Sequence, residues 1–216
     1  MTRDDYAVFI VDDDERIREA LIELLESHGM RAMVFGSAGD YVCASKPDVP
    51  ACLVLDIELP DINGLDLQRQ IAQGGHPPIV FITGHGDIPS SVRAIKSGAV
   101  DFLTKPFSDA DLLAAIQAAI AEDRKKRAEN ADLGELRQRY FNLTPRERDV
   151  LPLVVSGLLN KQAAAKLGIS EVTLQVHRRN VMQKMAAASL ADLVRIAEKL
   201  DVPITHSRRV EGNEHE

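Results

Sequence analysis

The sequence predicts a doubly wound α/β domain with a five-stranded parallel sheet, followed by an all-α domain of four helices. Three observations carry this. Five short apolar runs alternate with helix-period stretches over residues 1–122. Each run is bounded by turn residues, as strands buried on both faces of a parallel sheet are. From residue 143 onward the strand pattern stops and capped helical segments follow one another.

Ala7–Val11 is the first run, ending in Asp12-Asp13-Asp14. A helix follows, with Ile17, Leu21, Leu24 and Leu25 at core spacing and Gly29 as its stop. Met33–Phe35 reads as the second strand, Asp40–Ala44 as the start of a short helix, and Pro47–Pro50 as a turn. The third run, Ala51-Cys-Leu-Val-Leu-Asp56, is the centre of the domain, closed by Pro60, Asn63 and Gly64. Leu65, Leu67 and Ile71 mark the next helix, ended by Gly74-Gly75. Ile79–Ile82 is the fourth run, closed by Thr83-Gly84-His85-Gly86; Pro89–Gly98 is helical, and Val100–Leu103 is the fifth strand, leading into Thr104-Lys105-Pro106.

Asp109–Ala121 is amphipathic through Leu112, Leu113, Ile116 and Ile120. Residues 123–142 read as a linker or solvent-bridging helix: heptads fail at Asp123 and Arg127, and Gly134 weakens helical continuity. In the second domain, 143–200, Thr144-Pro145-x-Glu147 is a capping box with proline at the first helical position. That helix runs to about Ser156. Lys161–Leu167, the Gly168-Ile169-Ser170 turn and Glu171 to about Met185 form a helix-turn-helix, and Leu190–Leu200 is a last helix. The tail 201–216 is polar and reads as disordered, with His206 and His215 too isolated for a metal site.

The composition, 45% hydrophobic and 27% charged, is that of a globular protein, and no run approaches the ~20 apolar residues of a membrane span. The N-terminus does not resemble a secretory signal, so a cytoplasmic protein is expected. Cys43 and Cys52 read as two buried, reduced side chains. The net charge of −7 divides unevenly: residues 1–121 hold 19 acidic and 9 basic side chains, residues 143–200 hold 5 acidic and 9 basic. A basic module beside an acidic one hints at a polyanion partner.

Ligands in open α/β sheets gather beyond the carboxyl ends of the strands. There the sequence places Asp12 and Asp13, Asp56, Thr83 and Lys105. Crowded carboxylates repel unless a cation sits among them, and an oxygen-only set suits magnesium. A carboxylate nucleophile with a hydroxyl, an ammonium and a divalent cation at hand is equipped to accept a phosphoryl group.

Val11-Asp12-Asp13, the Asp56 strand with Leu59-Pro60 and Gly64, Thr83-Gly84 and Lys105-Pro106 together resemble a response-regulator receiver domain, whose fold is flavodoxin-like. Leu143-Thr144-x-Arg146-Glu147, Gly157, Asn160-Lys161, Leu167-Gly168-Ile169-Ser170, Thr173, His177 and Lys184-Met185 resemble the LuxR-type (GerE) DNA-binding domain, so the chain is similar to FixJ/NarL-type two-component regulators. The resemblance implies that Asp56 is the phosphorylation site and that Asp13, Asp56 and the backbone carbonyl of Glu58 bind Mg2+, with Asp12 acting through a water. It implies that Thr83 and Lys105 meet the phosphoryl group and that Lys105-Pro106 is cis. Phe102 is then either a rotamer switch or a core aromatic, and His85 either tunes phosphoryl lifetime or is a plain loop residue. The implied partners are a sensor histidine kinase, double-stranded DNA, RNA polymerase and a second copy of the chain, docked through 87–120. No enzyme is expected beyond autophosphorylation and autodephosphorylation. The phosphatases that use an aspartyl nucleophile want Asp-x-Asp, which Asp56-Ile57-Glu58 does not provide.

Projected on a helix, Gln175, Arg178, Arg179 and Met182 share a broad face. By resemblance Gln175, Val176 and Arg179 are base readers, with Gln175 standing where the family usually has lysine. Lys161, Thr173, His177, Arg178 and Lys184 are phosphate-contact candidates, His177 being alternatively a packed helix residue.

Overall fold

The computed structural model describes residues 6–72, 75–84 and 88–203. The expectations for His85, Asp87 and the tail from 204 lie outside them.

Continuous apolar runs demand cover on both sides, and β1 (Ala7–Val11), β3 (Ala51–Asp56) and β4 (Ile79–Thr83) are buried at every position. β2 (Ala32–Phe35) and β5 (Asp101–Thr104) are the partly exposed edges of one parallel sheet ordered β2-β1-β3-β4-β5. Alternate side chains serve opposite layers. Phe9, Leu53, Leu55 and Phe81 pack with Ala38 and Tyr41 of α2 (Ala38–Cys43), Leu67 of α3 (Gly64–Ile71) and Ala94 of α4 (Ile88–Lys96). Ile10, Val54, Val80 and Ile82 pack with Leu21 and Leu25 of α1 (Glu15–Ser27) and with Leu112, Ile116 and Ala119 of α5 (Asp109–Phe141). The strand order reverses between β1 and β3, so a crevice opens at their carboxyl ends.

Three details differ from the sequence reading. Cys52 is buried, but Cys43 is exposed, because the six-residue α2 turns Ala38 and Tyr41 inward and leaves its last residue outside. Gly134 does not interrupt α5. A helical glycine costs ~1 kcal/mol relative to alanine, and packing of Leu136 and Tyr140 on the second core offsets it. The polar stretch after residue 122 is not solvated throughout either. Asp123 is buried, accepting from the backbone N–H of Ala51 at 2.9 Å and from Arg127 Nε at 2.8 Å. Arg127 pairs also with Asp48.

The chain divides into two compact units between Ala128 and Glu129. In the second, α6 (Pro145–Val155) starts on the expected capping box: Thr144 N donates to Glu147 Oε2 (2.8 Å) and Glu147 N to Thr144 Oγ1 (3.3 Å). α7 (Asn160–Leu167) ends at Gly168, whose φ of 64° is the left-handed geometry glycine takes without strain. Ser170 caps α8 (Glu171–Lys184), and Ser189 caps α9 (Leu190–Lys199). Val150, Leu151, Val154, Leu174, Val181, Met185, Leu193 and Ala197 form the shared core. No helix among the described residues is long and apolar enough to cross a membrane.

Candidate functional site

At the crevice between β1 and β3, three successive aspartates take three different roles. Asp12 is fully buried, Asp13 is exposed, and Asp14 is the N-cap of α1, accepting from Arg16 N at 2.9 Å. Asp14 N in turn donates to Asp12 Oδ1 at 2.9 Å. Arg18 Nη1 donates to the carbonyls of Asp12 (2.7 Å) and Asp13 (2.9 Å) and so fixes the loop. The sequence reading passed over Arg18, since its role depends on a long side chain folding back from the first turn of α1. At the end of β3, Glu58 N donates to Asp56 Oδ1 at 3.0 Å. Gly64 N donates to Ile57 O at 2.9 Å, bringing the α3 N-terminus against the strand end. A Cβ on Gly64 would lie 2.4 Å from the carbonyl oxygen of Asp56. Glycine is therefore required here for close approach.

Lys105 crosses to both carboxylates. Its Nζ donates to Asp12 Oδ2 at 2.7 Å and to Asp56 Oδ2 at 2.6 Å, and its backbone N donates to Thr83 O at 2.8 Å. The Lys105–Pro106 bond is cis. Burial works to lower the pKa of this ammonium, but the two carboxylates outweigh it and raise the value. Burial pushes the Asp12 carboxyl up, against the pull of Lys105 and of the Asp14 N–H. Thr83 is fully buried at the end of β4. Phe102 lies beside Phe81 in the β4–β5 register, half-buried against the core. Glu58 is exposed. Asp12, Asp13 and Asp56 each offer an oxygen within 4.8 Å of the others. That all-oxygen set, part buried and part open, fits a hard divalent cation.

Beside this loop, Asp61 accepts from Gly39 N (3.0 Å) and Ala38 N (3.4 Å). Burial is the largest single influence and raises its carboxyl, but the backbone N–H groups of Gly39, Ala38, Asp61 and Ile62 together outweigh it and hold the carboxyl below the usual carboxylate range.

On α8 the buried side is Leu174, Val181 and Met185. The opposite, exposed side carries Val172, Gln175, Val176, Arg179 and Gln183. The projected face of Gln175, Arg178, Arg179 and Met182 is thus rotated by roughly 70° from the one exposed. Met182 packs on the core, and Arg178 is partly buried with Nη1 on Asn160 Oδ1 at 2.9 Å. Lys161 and Thr173 are exposed, Thr173 Oγ1 lying 2.8 Å from Ser170 Oγ. His177 is half-buried, its Nδ1 enclosed without a hydrogen-bond partner. Lys184 Nζ donates to the buried Glu147 carboxylate at 2.7 Å. Burial would raise Glu147, but Lys184 and Thr144 outweigh it and hold the carboxyl below its ordinary range.

Two family models match. Residues 8–117 fit the response regulator receiver domain, and residues 142–197 fit the bacterial regulatory proteins of the luxR family. The chain is 48% identical to Nodulation protein W of Bradyrhizobium diazoefficiens over 94% of its own length and 90% of the relative's. It is 45% identical to the response regulator protein TmoT of Ectopseudomonas mendocina, over 93% and 91%. The low-resolution structure of the response regulator StyR superposes with a TM-score of 0.78 at 45% identity, covering 90% of this chain and 99% of that one.

Proposed function

The chain belongs to the transcriptional response regulators that join a receiver domain to a LuxR-type DNA-binding domain, and from that premise we propose that Asp56 is the residue whose phosphorylation controls it. A phosphohistidine on a sensor kinase is the donor. A carboxylate oxygen of Asp56 attacks phosphorus, the P–O bond forms, and the P–N bond to histidine breaks. The observation that carries this reading is the single ammonium of Lys105 shared between Asp12 and Asp56 at the strand ends. That charge is already in place to meet phosphoryl oxygens. Thr83 supplies a hydroxyl from the neighbouring strand, and Glu58 N, now on Asp56 Oδ1, steadies the loop. Asp13, Asp56 and the carbonyl of Glu58, with Asp12 behind a water, are the residues we assign to Mg2+, which when bound offsets the charge gathered on the phosphoryl group.

The new charge on Asp56 draws Thr83 toward it while Lys105, already at Asp56, turns to the phosphoryl oxygens, and Phe102 follows inward. The helix–strand–helix face that follows β4 is where we place the contact with a second copy. The exposed Val92 and Ile95 on α4 support that choice. Dimerisation brings two α8 helices to paired half-sites about one helical turn apart. Gln175, Val176 and Arg179, all exposed, read bases, while Lys161, Thr173, His177 and Arg178 face the backbone phosphates. Lys184 is given over to Glu147 and contacts phosphate only by leaving it. We assign the protein to the cytoplasm, and its action to activation through contact with RNA polymerase.

The test compares wild type with Asp56→Asn, each with magnesium and acetyl phosphate or beryllofluoride. Size is read by light scattering, and affinity on a promoter-derived duplex. Dimerisation and tighter binding in wild type alone are expected. Identical size and affinity for the two proteins would show that control does not pass through Asp56.

A further inference from the structure

The open side of α8 presents an apolar stripe that phosphate recognition does not use. Val172 is 72% exposed and Val176 43%. They stand four residues apart, so they share one face, with Gln175 and Arg179 between and beyond them at the i+3 and i+7 positions. The core of the domain lies on the other side of the helix, through Leu174, Val181 and Met185. Neither valine is a buried member of that core. The setting is cationic: residues 143–200 carry 9 basic against 5 acidic side chains, and Lys161, Lys166 and Arg179 are exposed.

An apolar stripe set among cations matches one surface in particular. The major groove of DNA is walled by phosphates, and its floor offers a single apolar group, the C5 methyl of thymine. We propose that Val172 is a specificity-determining residue which, together with Val176, reads the C5 methyls of two thymines in the same half-site. Four residues of helix rise ~6 Å, and base pairs are stacked ~3.4 Å apart. The two thymines are therefore about two steps apart, counted along either strand. Gln175 and Arg179 take adenine and guanine edges beside them. The inference rests on α8 being the base-reading helix.

The experiment uses the full chain, beryllofluoride-activated. Binding sites are selected from a random duplex library by wild type and by Val172→Ala. Each thymine of the wild-type site is then replaced singly by deoxyuridine, which removes only the methyl. With wild type, two positions about two steps apart each lose about fourfold in affinity, the worth of one buried methyl-sized group. With Val172→Ala one of those positions becomes indifferent to deoxyuridine while the other keeps its sensitivity. Affinity for unrelated duplex and its salt dependence stay unchanged. If every position responds to deoxyuridine alike in both proteins, Val172 reads no methyl and the inference is overturned, with α8 still the reading helix. If wild type selects no sequence at all, base reading by α8 fails and this inference falls with it. Because Val172 is largely exposed and alanine is the better helix former, the variant folds.

Discussion

Replacing Gly64 by alanine should damage the Asp56 site without touching any of its charged groups. The added Cβ would stand 2.4 Å from the Asp56 carbonyl oxygen and 3.0 Å from Ile57 Cα, both backbone atoms that cannot rotate away. An ordinary carbon–oxygen contact needs roughly 3.3 Å, so the α3 N-terminus and the strand end must part by close to 1 Å. That separation strains the Gly64 N–H bond to Ile57 O (2.9 Å) and the Glu58–Asn63 bridge. Overpacking of this kind costs about 1–3 kcal/mol, a fall in melting temperature of roughly 4–12 °C for a domain this size. Displacing a reacting carboxylate by ~1 Å slows phosphorylation by acetyl phosphate by about a hundredfold. Calorimetry and single-turnover labelling measure the two effects. Gly84→Ala, where an added Cβ meets nothing within 4 Å among the described residues, is the control and should match wild type. A Gly64→Ala protein that melts and phosphorylates like wild type would refute the argument that close approach fixes the site.

Three further outcomes follow from the geometry. Asp12→Asn removes a buried charge that burial disfavours, but the amide's one oxygen can accept from only one of Lys105 Nζ and Asp14 N, which bond different oxygens of Asp12; the two effects, each about 1 kcal/mol, should leave the metal-free domain's stability nearly unchanged. Its stabilisation by added magnesium should shrink, as melts with and without the ion would reveal; an undiminished response to the ion would contradict this. Glu147→Gln removes the negative charge from the oxygen that accepts from Lys184 and should cost the second domain about 1–2 kcal/mol near neutral pH, since Lys184 is open enough to rehydrate. The Glu147 carboxyl is held low in the folded state, so its contribution is complete above the unfolded value of ~4.3 and fades as pH falls through the lowered one. Urea titrations of both proteins should converge in acid, and parallel curves from pH 7 down to 3 would count against the pair. Ala186 sits past α8 at φ 51°, a left-handed conformation that glycine adopts more cheaply. Ala186→Gly should therefore raise stability by about 0.5–1 kcal/mol, visible as a higher melting temperature.

Strand ends were legible because period and turn residues alone determine where a buried run stops, and four of the five such stops brought Asp12, Asp56, Thr83 and Lys105 to one edge. The sheet reversal supplied the rest. What escaped were contacts made by side chains reaching across several residues of backbone. Arg18 folding onto two carbonyls leaves no periodic trace, nor does Asp123 turning from a polar stretch to the start of β3. The rotation of α8 escaped for another reason. Projection grouped Gln175 and Arg179 with Arg178 and Met182, whereas the core is chosen by Leu174, Val181 and Met185. Starting from those three apolar positions would have placed Val172 beside Val176 on the open face from sequence.

The strand that ends in Asp56 is fastened at its other end as well. Ala51, its first residue, gives its N–H to Asp123, and Arg127 grips the same carboxylate one helical turn further along α5. The six residues between behave as a strut of about 17 Å, clamped at one end by a helix and at the other by an ammonium. A strut so held cannot slide in its register to take up a displacement at the crevice. A shift of Asp56 along the strand is thus opposed at Ala51, by its bond to Asp123.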